Sequence, residues 1–244
     1  MSGHSKWATT KRQKATTDSR RAKVFTKISN NISVAARVGA DPTMNAKLRM
    51  AIDQAKAVRM PKENIERAVA RGAGGADTEQ LEAVTYEGFG LGGVGIIAEA
   101  VTNNRNRTVS AIKHIFSKHG GNLGASGSVA WQFDSRGVIY WPAEPLENNL
   151  PVIALTETQE MAIIDAGAVD ITPGNGQVII YTTPENLDVV SKATNAVGLT
   201  NAHAGIEWVP RELIKPENHE AVRSLLEALD DEDNVSAVYT NADL

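Results

Sequence analysis

The sequence predicts an α+β protein of three domains: an N-terminal three-helix domain, then two α/β domains, one of them ferredoxin-like and inserted into the other. Three observations lead there. Apolar residues recur at i, i+4 up to about residue 70 and then give way to short runs rich in Val and Ile. A glycine-rich stretch, Gly72-Ala-Gly-Gly75, separates the two regimes. The charge divides at the same place. Residues 1–75 hold sixteen Lys/Arg against five Asp/Glu and residues 76–244 hold nine against twenty-four, which together give the net charge of −4.

Residues 1–17 have no apolar period and read as an arm. Asp18 is placed to cap a helix running to about Val38, whose stripe is Val24/Phe25, Ile28, Ile32 and Ala35/Ala36. Gly39 stops it. Asp41-Pro42 reads as an N-cap followed by proline at the first helical position, opening a second helix with Leu48, Ala51/Ile52 and Ala55 inward. Pro61 opens a third, with Ile65, Ala68 and Val69 inward and Gly72 as its stop. These make a basic helical domain over residues 1–76.

Beyond the linker, Val84–Phe89 and Val94–Val101 read as strands joined by the turn Gly90-Leu-Gly-Gly93. Arg107–His119 reads as a helix with Val109, Ile112 and Phe116 inward, and Ser128–Phe133 as a strand. A second series follows: strand Val138–Trp141, helix Thr158–Ala166, strands Val169–Thr172 and Gln177–Thr183, a helix from Pro184 to about Val197, and strand His203–Val209. That βαββαβ order is the ferredoxin-like pattern. The tail adds a helix over Pro216–Leu229 and a strand over Val235–Thr240, which together cannot bury an apolar face alone. The expected division is therefore 1–76, then 77–133 joined with 210–244, with 134–209 inserted.

Several chemistries are excluded or disfavoured. There are no cysteines, so no disulfide, thiolate metal site or thiol nucleophile. Gly88-Phe-Gly90-Leu-Gly-Gly93 matches G-x-G-x-x-G, but strand follows where a dinucleotide site needs a helix N-terminus. Gly124-Ala-Ser126-Gly-Ser128 lacks the last glycine of a nucleophile elbow and precedes a strand. The five histidines are scattered, with no metal-ligand spacing. No cofactor and no metal is expected, the chain is read as a non-enzyme, and no run approaches the roughly 18 apolar residues of a membrane span. A hydrolase with its site between the two α/β domains remains a weaker class. It would need carboxylates or histidines distant in sequence to converge.

The strongest functional signal is the arm and first helix. Lys6, Lys11, Arg12, Lys14, Arg20, Arg21, Lys23 and Lys27 face only Asp18 as an opposing charge. Clustered cations displace counterions from a phosphate backbone and bind it with little sequence preference. Trp7 lies among them; it either stacks on an unpaired base or covers the helical core. Arg37, Lys47, Arg49, Lys56, Arg59, Lys62, Arg67 and Arg71 continue the positive surface. A second signal is Thr102-Asn-Asn-Arg-Asn-Arg107 at a strand end opening a helix. Asn104, Arg105 and Arg107, with Lys118 on the same helix, form either a second binding surface or a helix cap with local ion pairs.

These segments bear a close resemblance to a known group. Gly3-His-Ser-Lys-Trp7, Asp41-Pro42 with Asn45 and Leu48-Arg49, Met60-Pro-Lys-Glu-Asn-Ile-Glu-Arg67 and Tyr86-Glu-Gly88 carry it. So do Asn104-Arg-Asn-Arg-Thr108, His114-Ile-Phe-Ser-Lys-His-Gly-Gly-Asn-Leu-Gly124 and Val129-Ala-Trp-Gln-Phe133. Together they resemble the YebC/PmpR family of regulators, which includes the mitochondrial translational activator of cytochrome c oxidase. The resemblance runs almost end to end. Departures are few: Leu91 stands where the family often has proline, and Thr9 and Asn30 replace residues usually apolar and basic.

The resemblance implies a three-domain architecture, nucleic-acid binding and control of gene expression. The expected function is a DNA-binding transcriptional regulatory protein; the alternative is a ribosomal-RNA-associated translation factor assisting elongation or initiation. The expected partners are promoter DNA or ribosomal RNA, with the ribosome in the second case, and the expected location is the cytoplasm. No helix carries the Arg, Asn and Gln set over one turn that reads a major groove, which favours backbone binding over base readout.

Overall fold

The computed structural model describes residues 18–74, 81–142, 154–174, 176–200 and 202–244. They fall into two compact units, residues 135–209 and the remainder. The arm and the linker after Gly74 lie outside the described residues.

Three helices open the chain: α1 (Asp18–Ala36), α2 (Ala46–Ala57) and α3 (Lys62–Ala73). The i, i+4 stripe of α1 is buried at Ile28, Ile32 and Ala36 against Leu48, Ala55, Ile65 and Ala68. Two sequence expectations are corrected here. Asp41 does not cap α2. Its carboxylate accepts from Thr43 N (2.8 Å) and Thr43 Oγ1 (2.7 Å) in the turn before it, which holds its pKa below the ordinary 3.8. Asn45 is the cap. Its Oδ1 accepts from Leu48 N at 3.1 Å, and its Nδ2 donates to Ala35 O and Gly39 O at 2.8 and 2.7 Å. One side chain thus starts α2 and closes the end of α1.

Gly72 is likewise not a stop, because α3 runs through it to Ala73. A Cβ at Gly72 would lie 2.2 Å from Ser33 O and 2.8 Å from Ala36 Cβ. The glycine is there to let α3 approach α1. Beside it, Ser33 Oγ donates to Ala68 O at 2.8 Å, and Arg71 donates to Ser33 Oγ and Asn30 Oδ1, each at 2.9 Å.

In the same unit, β1 (Glu82–Phe89) and β2 (Gly95–Thr102) pair antiparallel, Glu82 opposite Thr102 and Phe89 opposite Gly95. Gly92 and Gly93 take positive φ in the connection, where a side chain would be strained. Helix α4 (Arg105–Lys118) returns to a two-residue strand, β3 (Asn122–Leu123). Helix α7 (His219–Asp231) and strand β8 (Val235–Thr240) then come back from the far end of the chain. β8 pairs with β2, giving the order β3-β1-β2-β8. Tyr86, Ile96, Ala98, Ala100 and Val235 on one face bury Ile112 and Phe116 of α4 and Leu225, Leu226 and Leu229 of α7.

Residues 128–132 depart from the expected strand. They form a turn and a short 3-10 helix, Ala130–Gln132, and the strand β4 starts only at Phe133 (Phe133–Trp141). The reason is Glu87. Its buried carboxylate accepts hydrogen bonds from the amides of Gly127, Val129 and Ala130, each at 2.7 Å, so those amides are taken from any ladder.

The unit of residues 135–209 takes the greater part of β4, then α5 (Glu157–Asp165), β5 (Ala168–Gly174), β6 (Gln177–Thr182), α6 (Leu187–Ala196) and β7 (His203–Pro210). The order β5-β6-β4-β7, with β4/β6 and β5/β6 antiparallel, is the ferredoxin-like arrangement. Every residue of β6 is buried, as a central strand requires. The fold is therefore α+β: a helical domain followed by two α/β domains, the ferredoxin-like one inserted into the other.

Candidate nucleic-acid interface

Among the described residues, the helical domain carries its cations on three helices and the turns that follow them, and the structure sorts them by what each side chain does. Lys6, Trp7, Lys11, Arg12 and Lys14 lie outside the described residues, as does the side chain of Arg20. Arg21 is exposed, its guanidinium 5.4 Å from the centroid of the Phe25 ring. Lys23 and Lys27, one turn apart on α1, are engaged within the protein. Lys23 Nζ donates to Asp231 O at 3.0 Å and lies 3.8 Å from Asp233 Oδ1. Lys27 Nζ donates to Asp230 O and lies 3.7 Å from Asp230 Oδ1, with its side chain 13% exposed. Charge counting along the sequence groups these two lysines with the open cations. Their partners, more than two hundred residues away, were not legible in it.

Three more cations are engaged within the protein. Arg37 donates to Leu81 O at 2.6 Å, Arg49 to Pro42 O at 2.8 Å, and Arg71 clasps α1 as described. Lys56 and Lys62 make helix-surface pairs with Asp53 (3.0 Å) and Glu66 (3.4 Å), which in solvent are worth little. Lys47, Arg59 and Arg67 are exposed and have no side-chain partner among the described residues.

Arg59 is also unusual in its backbone. It sits at φ 57 after α2, in the left-handed region normally taken by glycine. Met60 N donates to Ala55 O at 2.9 Å across it, so the conformation is fixed by the helix end.

On α4, Asn104 acts as the N-cap, its Oδ1 accepting from Arg107 N at 3.0 Å. Arg105 lies 3.4 Å from Glu82 yet stays 63% exposed, and Arg107 donates to Asn103 Oδ1 at 3.3 Å from an exposed position. Arg107, His114 and Lys118 are exposed at i, i+7 and i+11, along one side of the helix. The capping is thus real for Asn104, while the cations still face solvent.

Two residues were missed as actors by sequence reasoning. Glu87 lies inside Tyr86-Glu-Gly88, but nothing local marks a strand carboxylate as the anchor of a loop forty residues on. Burial pushes its pKa up, and the three backbone hydrogen bonds outweigh that and hold it below the ordinary 4.5. Trp131 is 66% exposed on the loop Glu87 anchors, with Nε1 donating to Ser128 O at 3.0 Å. No group of three or more His, Asp or Glu arranged to hold a metal ion occurs among the described residues, and none of their helices is long and apolar enough to cross a membrane.

Comparison with known proteins places this architecture. Residues 5–75 match the TACO1/YebC protein N-terminal domain, and residues 81–242 match the TACO1/YebC second and third domain. The chain belongs to the TACO1/YebC family. Among its TACO1/YebC relatives are proteins of Moorella thermoacetica and Hahella chejuensis, each named a probable transcriptional regulatory protein. Both are 45% identical over matches covering 100% of this chain and 96% of theirs. A crystal structure of a conserved hypothetical protein from Aquifex aeolicus is similar at a TM-score of 0.84 and 42% identity. That match covers 98% of this chain and 96% of the other.

Proposed function

We propose that this chain is a non-enzymatic, DNA-binding transcriptional regulatory protein that holds the phosphate backbone with its N-terminal helical domain. The observation that carries the reading is the excess of sixteen cations over five acids in residues 1–75. Lys47, Arg59 and Arg67 of that set stand exposed with no partner among the described residues. Such a surface attracts a polyanion through counterion release, and phosphate contacts set position rather than sequence. The names of the relatives support a regulatory role. Arg107 and Lys118 on α4 offer a second, smaller set of exposed cations.

The test is a titration of the full chain against salt with a DNA duplex and a structured RNA, repeated without residues 1–17. Removing the arm takes away Lys6, Lys11, Arg12 and Lys14 as well as shifting the terminal amine. The slope of log affinity against log salt should fall in magnitude by roughly 3–4, at ~0.7–0.9 per phosphate contact. Unchanged slopes on both polymers, with an intact fold, would remove the arm from the interface. Tighter binding to RNA than to DNA across the salt range would replace the transcriptional reading with the translational one.

A further inference from the structure

Helix α7 ends at Asp231, within the run Asp230-Asp231-Glu232-Asp233, so four acids lie at and just beyond the end of a helix whose last turn has no basic residue. Negative charge is unfavourable there, because the last carbonyls already form the negative end of the helix dipole. The missing cations come from α1. Lys27 donates to Asp230 O and lies 3.7 Å from Asp230 Oδ1. Lys23 donates to Asp231 O at 3.0 Å and lies 3.8 Å from Asp233 Oδ1. Each ammonium therefore meets one carbonyl and one carboxylate oxygen, a cluster of oxygen acceptors with net negative charge. A phosphodiester would offer a lysine the same chemistry.

We propose that the acidic end of α7 is an intramolecular phosphate mimic that occupies Lys23 and Lys27 and so restrains polyanion binding by the first helix. The proposal rests on the nucleic-acid reading above and adds its regulation. The two pairs differ in access. Lys23 and Asp233 are 46% and 77% exposed, Lys27 and Asp230 13% and 27%, so the outer pair exchanges first and the inner pair second. A nucleic acid that takes these lysines must displace the acids, and by linkage the acids weaken the nucleic acid to the same degree. A further consequence separates this device from a merely structural contact. A lysine already held by an aspartate neutralises no phosphate and so releases no counterion from the nucleic acid, which means that in the native protein it adds little to the salt slope. Once freed, it contributes like any other phosphate contact.

The test compares the full chain with Asp230→Asn/Asp233→Asn and, as a control for net charge, with Glu212→Gln/Glu217→Gln, two exposed acids away from the contact. Binding to a labelled DNA duplex and to an RNA hairpin is read by anisotropy across salt, with thermal unfolding alongside. The aspartate variant should bind about 3- to 10-fold tighter at low salt, since the outer pair is exposed and the inner one keeps some solvent contact, so each is a modest restraint. Its slope should steepen by roughly 1–2, at ~0.7–0.9 for each freed lysine. Affinity and slope equal to those of the control, in a chain that binds, would overturn the mimic and leave the nucleic-acid reading standing. Absence of binding by every variant on both polymers would overturn the nucleic-acid reading and the mimic with it. Should the double variant fail to fold, Asp233→Asn alone, which alters only the exposed outer pair, should steepen the slope by about half as much; no change would again overturn the proposal.

Discussion

Glu87 on β1 and Val129 in the loop before β4 are joined by a hydrogen bond of 2.7 Å from the Val129 amide to Glu87 Oε2, buried and charge-assisted. The same oxygen accepts from Ala130 N, and Oε1 accepts from Gly127 N, each at 2.7 Å. Glu87→Gln replaces one acceptor with a donor that faces amide donors. It should cost about 2–3 kcal/mol, the range for a hydrogen bond to a charged group left broken in a buried site. Urea unfolding of both proteins at neutral pH measures the difference. A loss below ~0.5 kcal/mol would mean the loop is held by other contacts.

The same carboxylate makes stability depend on pH in a stated direction. Its folded pKa lies below the ordinary 4.5, so its contribution is complete above that value. It is lost as pH falls below 4.5 and through the folded value, because the unfolded chain then binds the proton more readily. Asp41 and Glu185 are shifted the same way, so the native protein has several sources of acid sensitivity. The Glu87→Gln variant should therefore lose less stability than the native chain between pH 5 and pH 3, by about the neutral-pH deficit at most. Parallel curves for the two proteins would contradict the assignment.

Gly72→Ala sets two effects of opposite sign against each other. Alanine inside a helix is favoured over glycine by roughly 0.8–1 kcal/mol. Here its Cβ would stand 2.2 Å from Ser33 O, and backbone cannot move aside as a flexible side chain can. Overpacking of that kind costs about 1–3 kcal/mol, so the net effect should be destabilising. A raised melting temperature would show that α1 and α3 separate at little cost.

Arg59→Gly should move stability and binding in opposite directions. Relief of the left-handed backbone at φ 57 should stabilise the helical domain by about 1 kcal/mol. The lost cation should reduce the salt slope for a DNA duplex by ~0.7–0.9. Thermal unfolding reads the first and anisotropy the second. A variant that is more stable with an unchanged slope would take Arg59 out of the interface.

Asn45→Ala removes the cap of α2 together with the two bonds from Nδ2 to Ala35 O and Gly39 O. A cap alone is worth about 1 kcal/mol, and the orphaned carbonyls raise the cost to about 2. Asp41→Ala should cost markedly less, since its carboxylate serves only an exposed turn. Equal losses in the two variants would return the cap to Asp41.

What the sequence determined by itself was local or additive. The stripe Ile28, Ile32, Ala36 follows from 3.6 residues per turn, so α1 was legible before any partner was known. The βαββαβ order dictated the ferredoxin-like strand arrangement, because each helix must return its chain to the same sheet. The basic end and acidic remainder are sums that no fold alters. Only the tertiary structure decided the uses of individual groups. Lys27 reads as one more open cation until Asp230, 203 residues away, is brought to it. Val129 and Ala130 read as strand until the Glu87 carboxylate takes their amides. Asp41-Pro42 looks like a helix start, but Asn45 bonds both α2 and the end of α1, and a residue serving two elements prevails over one serving a turn. Periodicity and charge belong to a segment and its neighbours. The partner of a particular ammonium, carboxylate or amide is set by which distant surfaces bury each other, and that energy is summed over the whole core.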